Sequence, residues 1–160
     1  MVTIRRATVE DAELLAKLNV HVHEAHRAIM PERYKPITGA EPALIAWFEN
    51  LSDDTTVVLI AERDNKAVGY IVCFLQEHPE NVFLYARTTL HIDQMSVNDG
   101  YRGQGIGQAL MNEVLQVAQS LAVDNITVGV MAFNADAIRF YERNGFTLGS
   151  HKMTRTISGE

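Results

Sequence analysis

The chain has 160 residues, with 14 Lys and Arg against 20 Asp and Glu, a formal net charge of −6 and one cysteine, Cys73. That length suits one domain with a self-sufficient core, and an acidic balance without a block of like charge argues against a nucleic-acid or anionic-membrane surface while mildly favouring a cationic partner. A lone cysteine excludes an internal disulfide; without an apolar run of roughly eighteen residues or a signal-like stretch at Met1 to Arg6, the expectation is a cytoplasmic protein that neither enters nor binds a membrane.

Val2 to Arg6 reads as a short strand. Thr8 followed by Asp11 resembles a helix cap ahead of Leu14, Leu15, Leu18, Val22 and Ala25, a helix that should end near Met30-Pro31. Leu44, Ile45, Trp47, Phe48 and Leu51 suggest a second helix, bounded by Gly39 and Pro42 upstream and Ser52-Asp53-Asp54 downstream. Thr56 to Glu62 and Lys66 to Gln76 are β-branched runs joined by a short polar turn, Arg63-Asp64-Asn65, and predict an antiparallel hairpin. Cys73 lies in the second run, where a small buried hydrophobe is expected rather than a nucleophile. The next strand falls within Val82 to Val97, bent or interrupted before Thr88. A helix over Gly105 to Leu121, a strand over Asn125 to Val130 and a helix over Asp136 to Asn144 follow. Gly145 sits where a left-handed residue closes a helix, and Phe146 to Ile157 alternates loosely enough for a final strand or bent pair. The predicted order is β-α-α-β-β-β-α-β-α-β, a single α/β domain with a mixed, mostly antiparallel sheet.

The segment Arg102-Gly103-Gln104-Gly105-Ile106-Gly107 joins the strand Leu90 to Val97 to the helix starting at Ile106. Glycines let backbone N–H groups approach an anion, and the first helical turn adds unpaired donors and the positive end of its dipole, so the segment is a candidate pyrophosphate cradle. A P-loop would need Lys followed by Ser or Thr after its last glycine, and here Gln108-Ala109 follow. A dinucleotide fingerprint beginning at Gly103 would need glycine at position 108, and Asp124 precedes its strand instead of ending it.

A second block runs from Asn134 to Phe146 and contains Ala137, Phe140, Tyr141, Gly145 and Phe146. Together with Arg102 to Gly107, it resembles the GNAT N-acetyltransferase superfamily, whose motifs read Arg/Gln-x-x-Gly-x-Gly/Ala and Asn followed by Ala-x-x-Phe-Tyr-x-x-x-Gly-Phe. The resemblance implies the GNAT fold and acetyl-CoA as acyl donor, its pantetheine arm inserted between the strands Leu90 to Val97 and Asn125 to Val130. It further implies that Met95, Ser96 and Val97 lie along the arm, with Met95 and Val97 bonding it through backbone groups, and that the N–H groups of Arg102, Gly103, Gln104, Gly105, Ile106 and Gly107 hold the pyrophosphate. The Val97 N–H would face the thioester carbonyl, Asn134 would bond the arm, and Tyr141 would protonate the departing thiolate. Tyr141 also supplies apolar helix surface together with Ile138 and Phe140, and Arg102 is equally readable as a solvated loop residue.

The acceptor amine must lose a proton before attack. Strand alternation predicts His91, Asp93, Met95 and Val97 on one face, making His91 and Asp93 the candidate bases, with ordinary strand hydrogen bonding as the alternative for each. In the family, the first two helices and their loop form the acceptor wall, which makes Glu24, His26, Glu32, Arg33 and Tyr34 candidate substrate contacts. Of His21, His23 and His26, only the last two share a helix face, so no metal site is expected. After Phe146 only 14 residues remain, fewer than the two full strands that close the acceptor side in many family members. A reduced final hairpin is expected, and a homodimer that completes the site stays open. With Cys73 outside both motifs, the reading is direct acetyl transfer from acetyl-CoA to a primary amine, with a non-catalytic acyl-CoA-binding or regulatory module as the alternative. Small molecules, peptide amino termini and protein lysines all fit as acceptors.

Overall fold

The structure, a computed structural model, describes residues 1–39, 41–51 and 53–157. Contacts within the chain divide it into two compact units, Met1–Gly129 and Val130–Glu160.

The first unit runs β1 (Val2–Arg6), α1 (Ala12–Ile29), α2 (Pro42–Glu49), β2 (Thr56–Arg63), β3 (Lys66–His78), β4 (Arg87–Val97), α3 (Ile106–Ser120) and β5 (Asn125–Val128). The sheet order is β1-β2-β3-β4-β5, antiparallel except for the parallel β4–β5 pair. Ala12, Leu15, Ala16 and Leu18 of α1 and Phe48 of α2 form one core with Val58, Ile60, Tyr70 and Val72. The alternate positions Val57, Leu59, Ile71 and Cys73 are also buried, and α3 packs against β1 to β4. Cover on both faces explains why β2 and β3 read as continuous apolar runs rather than alternating ones.

The turn from β2 to β3 is a two-residue loop in which Asp64 (φ 51°) and Asn65 (φ 62°) are both left-handed, the geometry that matches strand twist and that these side chains tolerate. Thr8 and Asp11 do form a cap, since Asp11 Oδ2 accepts the Thr8 N–H at 2.8 Å, but for a short 3₁₀ turn, Val9–Asp11, ahead of α1. The Arg5 guanidinium donates to both Asp11 oxygens at 2.8 Å and to Glu62 at 2.7 Å, tying β1, this turn and β2 together. It holds the Asp11 carboxyl below the usual carboxylate range.

Close packing at one glycine and a bulge set the course of β3 and β4. A Cβ on Gly69 would lie 2.8 Å from the Ser96 carbonyl oxygen, closer than strands tolerate. Gly69→Ala should therefore push β3 from the end of β4 and destabilise the fold by about 1–3 kcal/mol in denaturant titration, where Gly100→Ala, with nothing near its Cβ, serves as control. The bulge lies in β4: Val72 pairs with Gln94 but Cys73 pairs with Ile92, so Asp93 is an extra residue. It corrects the expected alternation: His91 shares its face with Gln94 and Ser96, while Met95 and Val97 share theirs with Ile92 and Leu90. One inserted residue reverses every side chain beyond it.

The interruption expected before Thr88 is the β3–β4 loop. There Asn81 Oδ1 accepts the N–H groups of Phe83 (2.8 Å) and Leu84 (2.9 Å), and Val82, Phe83, Leu84 and Tyr85 are exposed.

The second unit contains α4 (Ala135–Arg143). Asn134 caps it by accepting the Ala137 N–H at 3.2 Å, and Gly145 closes it at φ +87°. The final strand expected over Phe146 to Ile157 does not form: no strand follows α4 among the described residues, and Leu148, Met153 and Ile157 are exposed. α4 is the unit's one regular element among the described residues, so the segment has no strand edge there to join.

Candidate active site

The β4–β5 ladder runs from Thr89↔Asn125 to Ile92↔Val128, where β5 ends, whereas β4 continues to Val97. Beyond Ile92, at the Asp93 bulge, β5 no longer covers that edge of β4. The sheet therefore opens beside a bend, the arrangement in which an extended ligand chain can take the place of a missing strand. At the pair before the opening, His91 Nδ1 lies 2.8 Å from Thr127 Oγ1 across the two strands. When Nδ1 carries the proton and donates to Thr127, Nε2 is left as a lone-pair base. His91 is half-buried, and Asp93, the extra residue of the bulge, is exposed. Gln94, on the same face as His91, accepts from Tyr70 Oη at 2.8 Å and from Asn19 Nδ2 at 3.0 Å.

At the end of β4 the chain passes through a 3₁₀ turn, Asp99–Tyr101, into Arg102, Gly103, Gln104 and Gly105. Gly103 (φ +73°) and Gly105 (φ +79°) are left-handed, and a Cβ on either would meet nothing within 4 Å. Glycine is required there by backbone conformation rather than by space, since a side chain in this region costs about 1–2 kcal/mol. Gly105 is the cap of α3, and its carbonyl accepts the Ala109 N–H at 3.0 Å, so Ile106 and Gly107 N–H groups precede the first intrahelical bond. Ile106 is buried and anchors the helix start. Gln104 is engaged on both sides, its Nε2 donating to the Gly100 carbonyl at 3.1 Å and its Oε1 accepting from Arg63. The exposed Arg102 guanidinium lies 3.2 Å from Asp99. One polar atom that sequence reasoning missed stands at the head of this loop: Asn98 Oδ1 is buried and has no hydrogen-bond partner among the described residues. An orphaned buried acceptor beside an N–H-lined turn fits a ligand that brings both an N–H donor and an anion.

The proposed acceptor-wall residues meet on α1 and the segment after it. The Glu24 carboxylate accepts the Ile37 N–H at 3.1 Å and Arg27 Nη1 at 3.2 Å, and these donors, Ile37 foremost, hold its carboxyl below the usual range. His26 Nδ1 lies 2.7 Å from the Val22 carbonyl oxygen and His23 Nε2 2.5 Å from that of Lys35. The Tyr34 ring stands 5.4 Å from His26 and 5.8 Å from His23, with Arg33 5.8 Å above it. Glu24 and His23 thus pin residues 35–37 to α1. Among the described residues no three His, Cys, Asp or Glu side chains form a group able to hold a metal.

In the second unit Tyr141 is buried, its ring 5.3 Å from those of Phe140 and Phe146, and its carbonyl accepts the N–H groups of Asn144 and Phe146 at 3.0 Å. Asn134 has its side-chain oxygen committed to the cap of α4. Its amide N–H₂ group is the part suited to donate outward.

Cys73 is fully buried, and burial, reinforced by the Asp93 charge, pushes its thiol up to about 12. A nucleophilic thiolate is absent at neutral pH. Iodoacetamide at pH 8 should leave the folded protein unlabelled and label it once unfolded in urea. The unfolded thiol ionises above about 9.0 while the folded one stays protonated towards about 12. Stability should therefore hold below pH 9 and fall by about 1.4 kcal/mol per pH unit above it. Equilibrium unfolding of the protein and of Cys73→Ala across pH 8–11 separates this contribution.

Thr127, Asn19, Tyr70 and Asn98 have no motif to mark them; a polar residue between apolar neighbours, as at Asn19 between Leu18 and Val20, is the one signal that could have found part of the set.

The family model described as "Acetyltransferase (GNAT) family" matches residues 20–146. Among curated proteins, the chain is 26% identical over 128 residues to the uncharacterized N-acetyltransferase Rv2669 of Mycobacterium tuberculosis, covering 80% of this chain and 76% of that one. It is 26% identical over 163 residues to the L-amino acid N-acetyltransferase AaaT of Escherichia coli, covering 99% and 91%. The crystal structure of a tetramutant of the BH1408 protein from Bacillus halodurans superposes with a TM-score of 0.90 at 27% identity, covering 97% of this chain and 99% of that one.

Proposed function

The chain belongs to the GNAT family of acetyltransferases and is an acyltransferase, and we propose that it transfers the acetyl group of acetyl-CoA directly to a primary amine. The observation that carries this reading is the parting of β4 and β5 after Ile92, at the bulge and one 3₁₀ turn ahead of the Gly103–Gly105 loop. That arrangement suits an arm along β4 and a pyrophosphate at the start of α3. Acetyl-CoA supplies the activated acyl group when bound. Backbone groups of Met95, Ser96 and Val97 line the arm, and Asn98 Oδ1 accepts from one of its N–H groups. The Arg102 to Gly107 segment holds the pyrophosphate through backbone N–H groups, as oriented amides at a helix start do. The Val97 N–H donates to the carbonyl oxygen as negative charge develops there, a contribution of a few kcal/mol.

His91 Nε2 takes the proton of the incoming amine, with Thr127 holding its Nδ1 proton, and the exposed Asp93 attracts the ammonium form. Tyr141 returns a proton to the departing sulfur, while Asn134 donates to the arm. Glu24, His26 and Tyr34 form the acceptor wall. Acetyl does not pass through Cys73, whose thiol is buried and protonated; transfer is direct. A cytoplasmic setting and a homodimer complete the reading.

The test is CoA release from acetyl-CoA with a panel of amines, against acetyl-CoA alone as background. Turnover with at least one amine class, and no acetyl group retained on the protein by mass spectrometry, is the expected result. Tight acetyl-CoA binding without turnover of any amine would replace this reading by a non-catalytic acyl-CoA-binding module.

A further inference from the structure

Three side chains close a ring between α1 and the sheet. Tyr70 Oη donates to Gln94 Oε1 at 2.8 Å, and Asn19 Nδ2 donates to Tyr70 Oη and to Gln94 Oε1, both at 3.0 Å. Tyr70 is 0% and Asn19 7% exposed, so neither donor can turn to water instead. Burial also pushes the Tyr70 phenol up, which keeps it a donor. Gln94 Oε1 is therefore occupied twice from the buried side. Its Nε2, which can only donate, takes part in none of these bonds, and Gln94 itself is half-buried rather than enclosed. Gln94 follows Asp93 directly and shares its strand face with His91 and Ser96, at the point where β4 outruns β5.

We propose that Gln94 determines acceptor specificity, its Nε2 donating to an oxygen that the acceptor carries beside its amine. The preferred substrates are then amines with a neighbouring carboxylate or carbonyl oxygen, the chemistry shared by free amino acids and peptide amino termini, rather than plain alkyl amines or polyamines. The inference rests on the N-acetyltransferase reading of this site. Tyr70 and Asn19 are positioning residues: they touch no substrate but fix which end of the Gln94 amide faces outward. A site built around a buried, oriented donor discriminates because an acceptor lacking the oxygen leaves that donor unsatisfied.

The test compares matched acceptors by CoA release: alanine, a dipeptide amide beginning with alanine, and ethylamine. The protein should favour the better of the two oxygen-bearing acceptors over ethylamine by about tenfold in kcat/KM, the size of one well-made hydrogen bond. Whichever of alanine or the dipeptide is favoured tells a free carboxylate from a peptide carbonyl. Gln94→Leu should collapse the ratio towards one, chiefly by raising KM for the oxygen-bearing acceptor. Gln94→Glu keeps the ring bonds through one oxygen and turns the other against the acceptor's oxygen, so the preference should reverse. A role confined to holding α1 on the sheet would lower melting temperature without moving the ratio, and that result overturns the proposal. Turning both amides over would present Oε1 to the ammonium that all acceptors share; equal losses for all three acceptors in Gln94→Leu would establish that arrangement and overturn the proposal. Absence of turnover with any amine in the unaltered protein is a different result, and it removes the transferase reading itself.

Discussion

Tyr141→Phe should lower kcat for acetyl transfer by about 10²- to 10⁴-fold, the range of a positioned general acid, with KM for acetyl-CoA little changed. Phe keeps the ring that stands 5.3 Å from Phe140 and Phe146, and the Tyr141 carbonyl still accepts from Asn144 and Phe146, so α4 and its glycine closure are preserved. Only the hydroxyl is lost. Tyr141→Ala removes the ring as well and should also lower the melting temperature, which separates the two roles of this side chain. The measurement is steady-state CoA release alongside thermal melts of both variants. Unchanged turnover in Tyr141→Phe would leave the residue as packing alone and assign proton return to water.

The second large effect belongs to His91. His91→Ala should lower kcat/KM for the amine by about 10²-fold or more, the scale of a positioned general base. Thr127→Val keeps the strand and its shape but removes the partner 2.8 Å from Nδ1. It should give a smaller loss, because the imidazole remains while its tautomer is no longer held. If His91→Ala keeps full turnover and Asp93→Asn loses it, the roles are exchanged, and the exposed bulge carboxylate is the base.

How far these assignments were legible in the residues depends on the range of the interactions behind them. Local conformational demands showed clearly: Gly145 takes the left-handed φ expected of a helix closure, and Asp64-Asn65 makes the tight turn its composition suggests; the positive φ of Gly103 and Gly105 was not foreseen. The burial of Cys73 followed from its place in a β-branched run. The bulge did not show, because Ile92-Asp93-Gln94 contains no glycine or proline to mark it, and counting by twos carried His91 onto the face of Met95 and Val97. Only the pairing with Cys73 and Val72 reveals the extra residue. The Asn19–Tyr70–Gln94 ring and the His91–Thr127 contact escaped for a related reason: they join residues 24 to 75 positions apart, and no local pattern encodes such a meeting. The final strand is the opposite case. Phe146 to Ile157 alternates loosely, but alternation alone does not make a strand without a pairing partner, and none follows α4 among the described residues.

Amide hydrogen exchange with and without acetyl-CoA tests the central claim most directly, because it reads the backbone groups assigned to the ligand. Binding should slow exchange in peptides covering Asp93 to Val97 and Gly103 to Gly107 and leave the exposed Val82 to Tyr85 loop as it was. Saturating acetyl-CoA that leaves both stretches unchanged, or protects a different part of the sheet, would contradict a donor site built on the open edge of β4 and the glycine loop.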